Sequence, residues 1–528
     1  MMKVLVSDSI DQSGIDILSQ VAEVDQRVGL TIDDLKQIIG EYDGLMIRSG
    51  TQVTSDVLQA AEKLQIIGRA GVGVDNVDVP AATQRGILVV NSPGGNTIAA
   101  AEHALALLLA VSRHVAHAHA STAKGGWDRK KYVGNELYKK VLGVVGLGKI
   151  GSHVAKVAIA MGMEVIAFDP FIATDRAQQM QVRLTEIDEL FKTADYVTLH
   201  LPRTPDTENL VDANLLRTMK PTARLVNCAR GGIIDENALA EAINSGVIAG
   251  AGLDVYANEP LPANSALLKV NERLILTPHL GASTTEAQEN VAIDVAEQIR
   301  DVLLGLPARS AVNIPGLNAD LMERLKPHLQ LGETLGLLAS QLSGGNLNEL
   351  EVRLQGDFAE HPSQPIVVAT LKGLLSSALG ERINYVNASL EAKARGIHVL
   401  EIKDESKRDF AVGSLQITTR GETNCHVVSG TVVADEDLRI TSIDEFPVNV
   451  SPSQHMLFTR HRDMPGIIGQ LGSLLGEYNV NIASMQVGRR IVRGDAVMVL
   501  SIDDPIPPEL LISIHSIDGI QEAHPVTL

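Results

Sequence analysis

The stretch Val141-Leu142-Gly143-Val144-Val145-Gly146-Leu147-Gly148-Lys149-Ile150-Gly151 decides how the first half of the chain folds. Its first five residues carry no polar side chain and read as a short buried strand. The glycines that follow have the spacing of a dinucleotide-binding turn. Gly146 permits the tight turn, Gly148 lets the backbone approach a pyrophosphate, and Gly151 lets the next helix pack closely on the strand. The start of that helix, at Lys149 and Ile150, turns free N–H groups and a positive dipole end toward the phosphates. A second strand, Val165-Ile166-Ala167-Phe168, ends in Asp169. An acid at that distance can take the adenosine ribose hydroxyls and repel a 2′-phosphate, so the pattern predicts NAD rather than NADP. A glycine turn of some other α/β fold is the alternative, and the strand, helix, strand and acid around the turn argue against it.

Working outward, residues 3–96 alternate short apolar runs (Val4-Leu5-Val6, Gly44-Leu45-Met46-Ile47, Ile66-Ile67-Gly68, Ile87-Leu88-Val89-Val90) with helical spacing over 33–42 and 55–63. Such alternation implies a parallel sheet. Residues 97–124 are Ala-rich and predict one long helix that carries the chain into a second alternating unit, about 140–278. His114, His117 and His119 lie on this helix without a His-x-x-x-His pair or a carboxylate pattern, so no metal is expected. A helix over about 285–304 can return the chain to the first unit. The expected division is therefore α/β, with two doubly wound parallel-sheet domains: a substrate domain (1–97 with 287–312) and a Rossmann NAD-binding domain (98–286). Leu306-Pro307-Ala308 and Ile314-Pro315-Gly316 mark a linker. An α+β domain over 317–450 follows, with a helix at 321–342, a strand at Ile397-His398-Val399-Leu400-Glu401-Ile402 and no chemical motif. Pro447 and Pro452 mark the next boundary. Residues 455–528 read strand, helix, strand, strand, helix, strand, the ferredoxin-like order.

The chain has 528 residues, 45 basic and 64 acidic, for a net charge of −19. That balance argues against a general nucleic-acid or membrane surface, and a phosphorylated substrate would need a local basic cluster. Cys228 and Cys425 are too few for a disulfide framework or a structural zinc. No apolar run reaches bilayer length and no signal peptide is evident, so the cytoplasm is the expected compartment.

Three more segments end at strand termini: Leu225-Val226-Asn227-Cys228-Ala229-Arg230-Gly231, then Gly252-Leu253-Asp254-Val255-Tyr256 close to Glu259-Pro260, then Ile275-Leu276-Thr277-Pro278-His279-Leu280-Gly281. Ligands of open α/β sheets bind outside the carboxyl ends of the strands, where these three can converge. Oxidising a secondary alcohol needs a base for the hydroxyl proton. His279 suits that task because imidazole titrates near neutrality. Glu259 can orient the ring and stabilise its charged form. Arg230 can hold a substrate carboxylate and polarise the developing carbonyl. On the residues alone, Cys228 reads as a small packing residue and Asp254 as a solvated turn residue.

In order and spacing, these segments resemble the D-isomer-specific 2-hydroxyacid dehydrogenases over about residues 3–312. The resemblance implies Arg230, Glu259 and His279 as the catalytic set. It implies NAD contacts at Lys149, Ile150, Asp169, Cys228, Ala229, Arg230, Asp254, His279 and Gly281. Within that family the chain is most similar to the branch that oxidises 3-phospho-D-glycerate. Arg48-Ser49-x-Thr51 and Gly71-Val72-Gly73-Val74-Asp75-Asn76 resemble its substrate loops, where amides near Gly71 and Gly73 cradle a carboxylate with Asn96 nearby. Gly126-Trp127-x-Arg129-Lys130-Lys131-Tyr132 resembles the segment that brings basic side chains to the phosphate, in some members from a neighbouring subunit; alone, three basic residues read as a solvated loop. Residues 317–450 resemble the intervening domain of the long form, and 455–528 an ACT domain, a ferredoxin-like amino-acid sensor. The segment His461-Arg462-Asp463-Met464-Pro465-Gly466-Ile467 reads as a strand-end loop opening a helix. With Asn481, it gives His461, Asp463 and Asn481 as effector candidates and L-serine as the implied effector. Asp463 stands where an asparagine is usual, and a purely packing module is the alternative. A homo-oligomer, dimer or tetramer, is expected. Competing readings are another D-2-hydroxyacid dehydrogenase, such as a 2-oxoglutarate reductase, and an NADH-sensing binding protein of the corepressor type.

Overall fold

The computed structural model describes residues 2–528 except 271–272, 307, 315–318, 345–346, 405–412, 423 and 434–436. The first sheet contains β1 (Lys3–Val6), β2 (Glu23–Gln26), β3 (Gly44–Ile47), β4 (Ile66–Arg69) and β5 (Leu88–Asn91), in the order β2-β1-β3-β4-β5. Every neighbouring pair is parallel. The inner strands are covered on both faces and are accordingly apolar almost throughout. β2 reads Glu-Val-Asp-Gln and lies at the edge, so no apolar run announces it. The helices Gln12–Leu18 and Thr285–Leu303 share one face, where Ile15, Leu18, Val291, Val295 and Ile299 pack on Val4, Val6, Ile66 and Val90. A Cβ on Gly14 would lie 2.9 Å from the Ala292 carbonyl oxygen, which shows how closely the returning helix is seated.

The second sheet contains β6 (Val141–Val145), β7 (Glu164–Phe168), β8 (Arg183–Leu184), β9 (Tyr196–Leu199), β10 (Arg224–Asn227), β11 (Gly250–Leu253) and β12 (Leu274–Leu276). They run parallel in the order β12-β11-β10-β9-β6-β7-β8. Strand order reverses between β9 and β7, so the carboxyl end of β6 is the switch point at which open sheets bind ligands.

The expected single helix over 97–124 is two helices, Thr97–Arg113 and Val115–Ala123, bent by 65°. They meet at His114, which adopts a left-handed conformation with φ 55°. The first helix buries Ala101, Ala104, Leu107 and Leu108 against the second sheet, while the second helix buries no residue fully. Alanine suits a helix on either side of the break, so composition carries no mark of it. Among the described residues no single helix is long and apolar enough to cross a membrane.

The remaining chain forms two further layers. Helices Ala319–Ser343 and Ser363–Leu379 cover a six-stranded sheet between Leu347 and Val450, in which only the pair Leu347–Gln355 and His398–Asp404 is parallel among the described strands. The expected linker residues Pro307, Pro315 and Gly316 lie outside the described residues. The segment between Pro307 and Pro315 covers the free edge of β5: Val312 N–H donates to Val89 O (2.7 Å), Asn91 N–H to Ser310 O (3.4 Å) and Val89 N–H to Asn313 Oδ1 (2.9 Å). Asn384 Nδ2 reaches back to the Gly86 carbonyl (2.8 Å). The last four strands, His455–Arg462, Ile482–Arg489, Asp495–Ile502 and Ile520–Thr527, form a ferredoxin-like sheet with helices Ile467–Glu477 and Pro508–His515. Met456, Phe458, Val497 and Val499 on that sheet share a core with Phe446, Val448 and Val450 of the preceding one.

Candidate active site

The glycine turn has the geometry its spacing predicts. Gly146 sits at φ +93°, and a Cβ there would lie 2.5 Å from the His200 carbonyl oxygen. A Cβ on Gly151 would lie 2.0 Å from the Gly146 oxygen, so only glycine allows this approach. A Cβ on Gly148, by contrast, would meet nothing within 4 Å. The helix Lys149–Ala160 begins there with no side-chain cap and no acid in its first turn. Uncapped N–H groups therefore face open space, which is what a pyrophosphate requires. Asp169 closes the loop by accepting Leu147 N–H at Oδ2 (2.8 Å) and Phe171 N–H at Oδ1 (2.9 Å). Each oxygen retains a lone pair for a ribose hydroxyl. These residues fit NAD.

At the end of β12 the chain turns through His279, a non-glycine residue at φ +55°. His279 Nδ1 lies 2.7 Å from Glu259 Oε2, and Glu259 Oε1 accepts Tyr256 N–H at 3.0 Å. Burial pushes the Glu259 carboxyl up, but its bonds from His279 and Tyr256 outweigh this and hold it below the usual range. The other ring nitrogen, Nε2, is left for a substrate. Beneath the loop sits Asp254, and here the reading as a solvated turn residue is overturned, because its exposure is 0%. It accepts Thr277 Oγ1 (2.5 Å) and Leu280 N–H (2.8 Å) at Oδ1 and Gly281 N–H (2.8 Å) at Oδ2; His103 Nε2 lies 3.1 Å from Oδ1. The donors that make its burial tolerable all lie on other elements, so nothing beside Asp254 in the sequence marks it as buried. His103, Cys228 and Asp254 bring ligand-type atoms within 4.8 Å of one another. Burial followed by the Asp254 charge pushes the Cys228 thiol up. His103, Thr277 and Asp254 form one hydrogen-bond network, in which both Asp254 oxygens already accept protein donors.

Arg230 leaves the end of β10 and crosses to the first sheet's loops. Its Nε donates to Asp75 Oδ2 (3.0 Å) and one terminal nitrogen to the Ala229 carbonyl (2.7 Å). The other lies against Gly73, 2.1 Å from where a Cβ would stand. Gly231 approaches the Tyr256 carbonyl so closely that a Cβ would lie 1.7 Å from its oxygen, which draws the Arg230 turn against the Glu259 turn. Arg69, the last residue of β4, is absent from the candidates drawn from sequence, although its place at a strand's carboxyl end is an available signal. Its guanidinium lies over Gly71, which needs its φ of +148° to pass beneath. Burial first, then the neighbouring Arg230, push Arg69 down to about 10. Arg48 and Ser49 lie on an adjoining loop pinned by Asp8, which accepts the Arg48 N–H (2.6 Å) and Thr51 N–H (3.1 Å). Arg69 Nε, Ser92 Oγ and Asn96 Oδ1 are buried without a hydrogen-bond partner among the described residues. Buried polar atoms are nearly always satisfied, so these orphans suggest a polar occupant.

Other expected residues are not gathered here. Arg129 and Lys130 lie on the exposed loop after helix Val115–Ala123, beside Trp127, which is 81% exposed. His461 is not a loop residue: it belongs to strand His455–Arg462 and is 1% exposed, because alternation turns it into the core. Asp463 Oδ2 accepts Arg493 N–H (3.1 Å) and the Arg489 guanidinium (2.9 Å), bonds that hold its carboxyl low. Asn481 Nδ2 donates to Asp503 (2.7 Å). His461 and Asp463 thus feel each other's charge, while Asn481 is bonded elsewhere, to Asp503.

A nucleotide turn at the switch point, in a sheet that also carries a histidine–carboxylate pair at a strand end and an arginine reaching the first sheet's loops, defines a dinucleotide-dependent dehydrogenase. Comparison with known proteins agrees. Residues 105–281 match the D-isomer specific 2-hydroxyacid dehydrogenase NAD binding domain, 324–444 the D-3-phosphoglycerate dehydrogenase intervening domain and 455–518 the ACT domain. A D-3-phosphoglycerate dehydrogenase of Synechocystis sp. is 61% identical over all of this chain and 95% of its own length. That of Methanocaldococcus jannaschii is 43% identical over the whole of both. Among solved structures, a protein from Thermus thermophilus matches 59% of this chain and all of its own at 35% identity and TM-score 0.55. D-lactate dehydrogenase from Escherichia coli matches 59% and 100% at 27% identity and TM-score 0.53. The chain belongs to the D-isomer-specific 2-hydroxyacid dehydrogenases, in the long-form D-3-phosphoglycerate dehydrogenase family. It is an NAD-dependent dehydrogenase.

Proposed function

We propose that this chain oxidises 3-phospho-D-glycerate to 3-phosphohydroxypyruvate, the first step toward L-serine. The observation that carries the reading is the His279–Glu259 pair at a strand end, beside the arginine cradle of the first sheet. Relatives named D-3-phosphoglycerate dehydrogenase, matched over 95% and 100% of their own length, support the substrate. NAD, held by the Gly146–Gly151 turn and Asp169, would supply the acceptor for the hydride that leaves the substrate. His279 Nε2 takes the hydroxyl proton as the carbonyl forms, and Glu259 stabilises the resulting imidazolium. Arg230 and Arg69, with the amides near Gly71 and Gly73, hold the substrate carboxylate, for which the exposed Asp75 competes. Asp169 takes the ribose hydroxyls and disfavours NADP.

Arg129 and Lys130 supply charge for the phosphate from a second copy of the chain. The exposure of Trp127 (81%) and Val133 (75%) around them supports burial of that segment in a homodimer or tetramer. A cytoplasmic enzyme inhibited by L-serine through the ACT module, around Asp463 and Asn481, completes the reading. NADH formation with a panel of D-2-hydroxy acids tests it: 3-phosphoglycerate should have the highest kcat/KM, and a faster unphosphorylated acid would refute the substrate. Serine titration of wild type and Asn481→Ala, by calorimetry and activity, tests the effector. A coupling of about 1–3 kcal/mol is expected in wild type and should be lost in the variant. Wild type that neither binds serine nor slows at millimolar concentration leaves the module a packing unit.

A further inference from the structure

His279 is held at a φ that side-chain-bearing residues rarely adopt, and the bonds around it converge on one buried residue, Asp254. His279 N–H donates to the Asp254 backbone oxygen (2.9 Å). The next two amides, Leu280 and Gly281, donate to the two carboxylate oxygens of Asp254, and Thr277 donates its hydroxyl proton to the same group. Tyr256 OH holds the Thr277 carbonyl from the other side (2.8 Å). With Asp254 fully buried, its acceptor capacity is what keeps the loop in register.

His103 completes this set from a different element. Its Nε2 lies 3.1 Å from Asp254 Oδ1 and 3.2 Å from Thr277 Oγ1. The carboxylate only accepts, and the Thr277 proton is already committed to it. Both neighbours of Nε2 are therefore acceptors, so Nε2 must carry the hydrogen. His103 sits on helix Thr97–Arg113, seven residues or about 10 Å after Asn96, which opens that helix beside the substrate cradle.

We infer that His103 is a positioning residue for the reaction: its Nε2–H fastens the Asp254 carboxylate, and through it the left-handed His279 loop, to the helix that leaves the substrate cradle. This rests on the reading of His279 as the base. It differs from a packing role in requiring a donor at one atom. Burial pushes Asp254 up, yet the bonds from His103, Thr277 and Leu280 bring it below the usual range, in keeping with a carboxylate kept as an acceptor.

The test compares His103→Leu, which fills the space without a donor, with His103→Gln, whose amide nitrogen reaches about as far as Nε2. With the fastest D-2-hydroxy acid of the panel, His103→Leu should lose about tenfold to a hundredfold in kcat, with KM values moving less than about threefold, because the base is misplaced rather than removed. His103→Gln should recover to within about threefold of wild type. Amide exchange at Leu280 and Gly281, which needs no turnover, should quicken in His103→Leu alone. Wild-type kcat in His103→Leu, equal damage in a folded His103→Gln, or unchanged exchange overturns the inference, and the exchange result stands even if 3-phosphoglycerate proves not to be the substrate. Should His103→Leu lose its unfolding transition, His103→Asn, whose amide falls short of Asp254, replaces it with the same expected outcome.

Discussion

Gly231→Ala places one methyl group where the two halves of the site meet. The new Cβ would stand 1.7 Å from the Tyr256 oxygen, 2.0 Å from its carbonyl carbon and 2.7 Å from Ala257 N. All three are backbone atoms, so no rotamer change can relieve the contact. Moving from 1.7 Å to a tolerable separation of about 3.0 Å demands a displacement of about 1.3 Å, shared between the Arg230 turn and the turn carrying Tyr256 and Glu259. Overpacking of this kind costs about 1–3 kcal/mol of stability. A misplacement near 1 Å in a reacting site costs about a hundredfold in rate. Because Glu259 is anchored to Tyr256 N–H, the displacement reaches His279 directly. The expected result is a folded protein with a lowered unfolding midpoint, NAD affinity within a few-fold of wild type and kcat/KM down by about two powers of ten. NAD affinity is read by fluorescence titration and turnover by NADH absorbance. Wild-type turnover in Gly231→Ala would refute the claim that this close approach aligns Arg230 with the His279–Glu259 pair.

Three further outcomes follow from the same geometry. His279→Ala should lower kcat by about two to four powers of ten with little change in NAD binding, and near-native turnover would remove it as the base. Asp169→Ser should weaken NAD binding and narrow the gap to NADP in steady-state assays; wild type that used both cofactors equally would defeat the role given to Asp169. Arg129→Ala should raise KM for 3-phosphoglycerate by about tenfold or more and leave an unphosphorylated analogue nearly unaffected, as loss of one charge-assisted phosphate contact implies. Equal effects on both would assign Arg129 to packing.

Much of the site can be read from the sequence because its parts are local. The glycine spacing, the acid after β7 and the motifs at the ends of β10, β11 and β12 are each short and continuous. What escapes notice is built by distant segments. Asp75 meets Arg230 across 155 residues, and His103 meets Asp254 across 151. No local pattern marks such partners. Arg69 is an intermediate case, since Ile66-Ile67-Gly68-Arg69 shows a strand ending in a cation at the functional edge of the sheet. The break at His114 leaves no trace in an Ala-rich segment, and His461 reads as loop because the strand continues past its apolar stretch into His-Arg.

The edge of the first sheet has a mechanical consequence. Asn384 grips the carbonyl of Gly86 at the foot of β5, and Ser310 and Asn313 clasp its outer side. At its head, Asn91 Nδ2 holds the Val72 carbonyl (2.5 Å), between the two glycines of the substrate loop. From Leu88 to Asn91 the strand extends roughly 10 Å at about 3.3 Å per residue. The end held by the third domain and the end that holds the Gly71–Gly73 loop are thus two ends of one short piece of backbone.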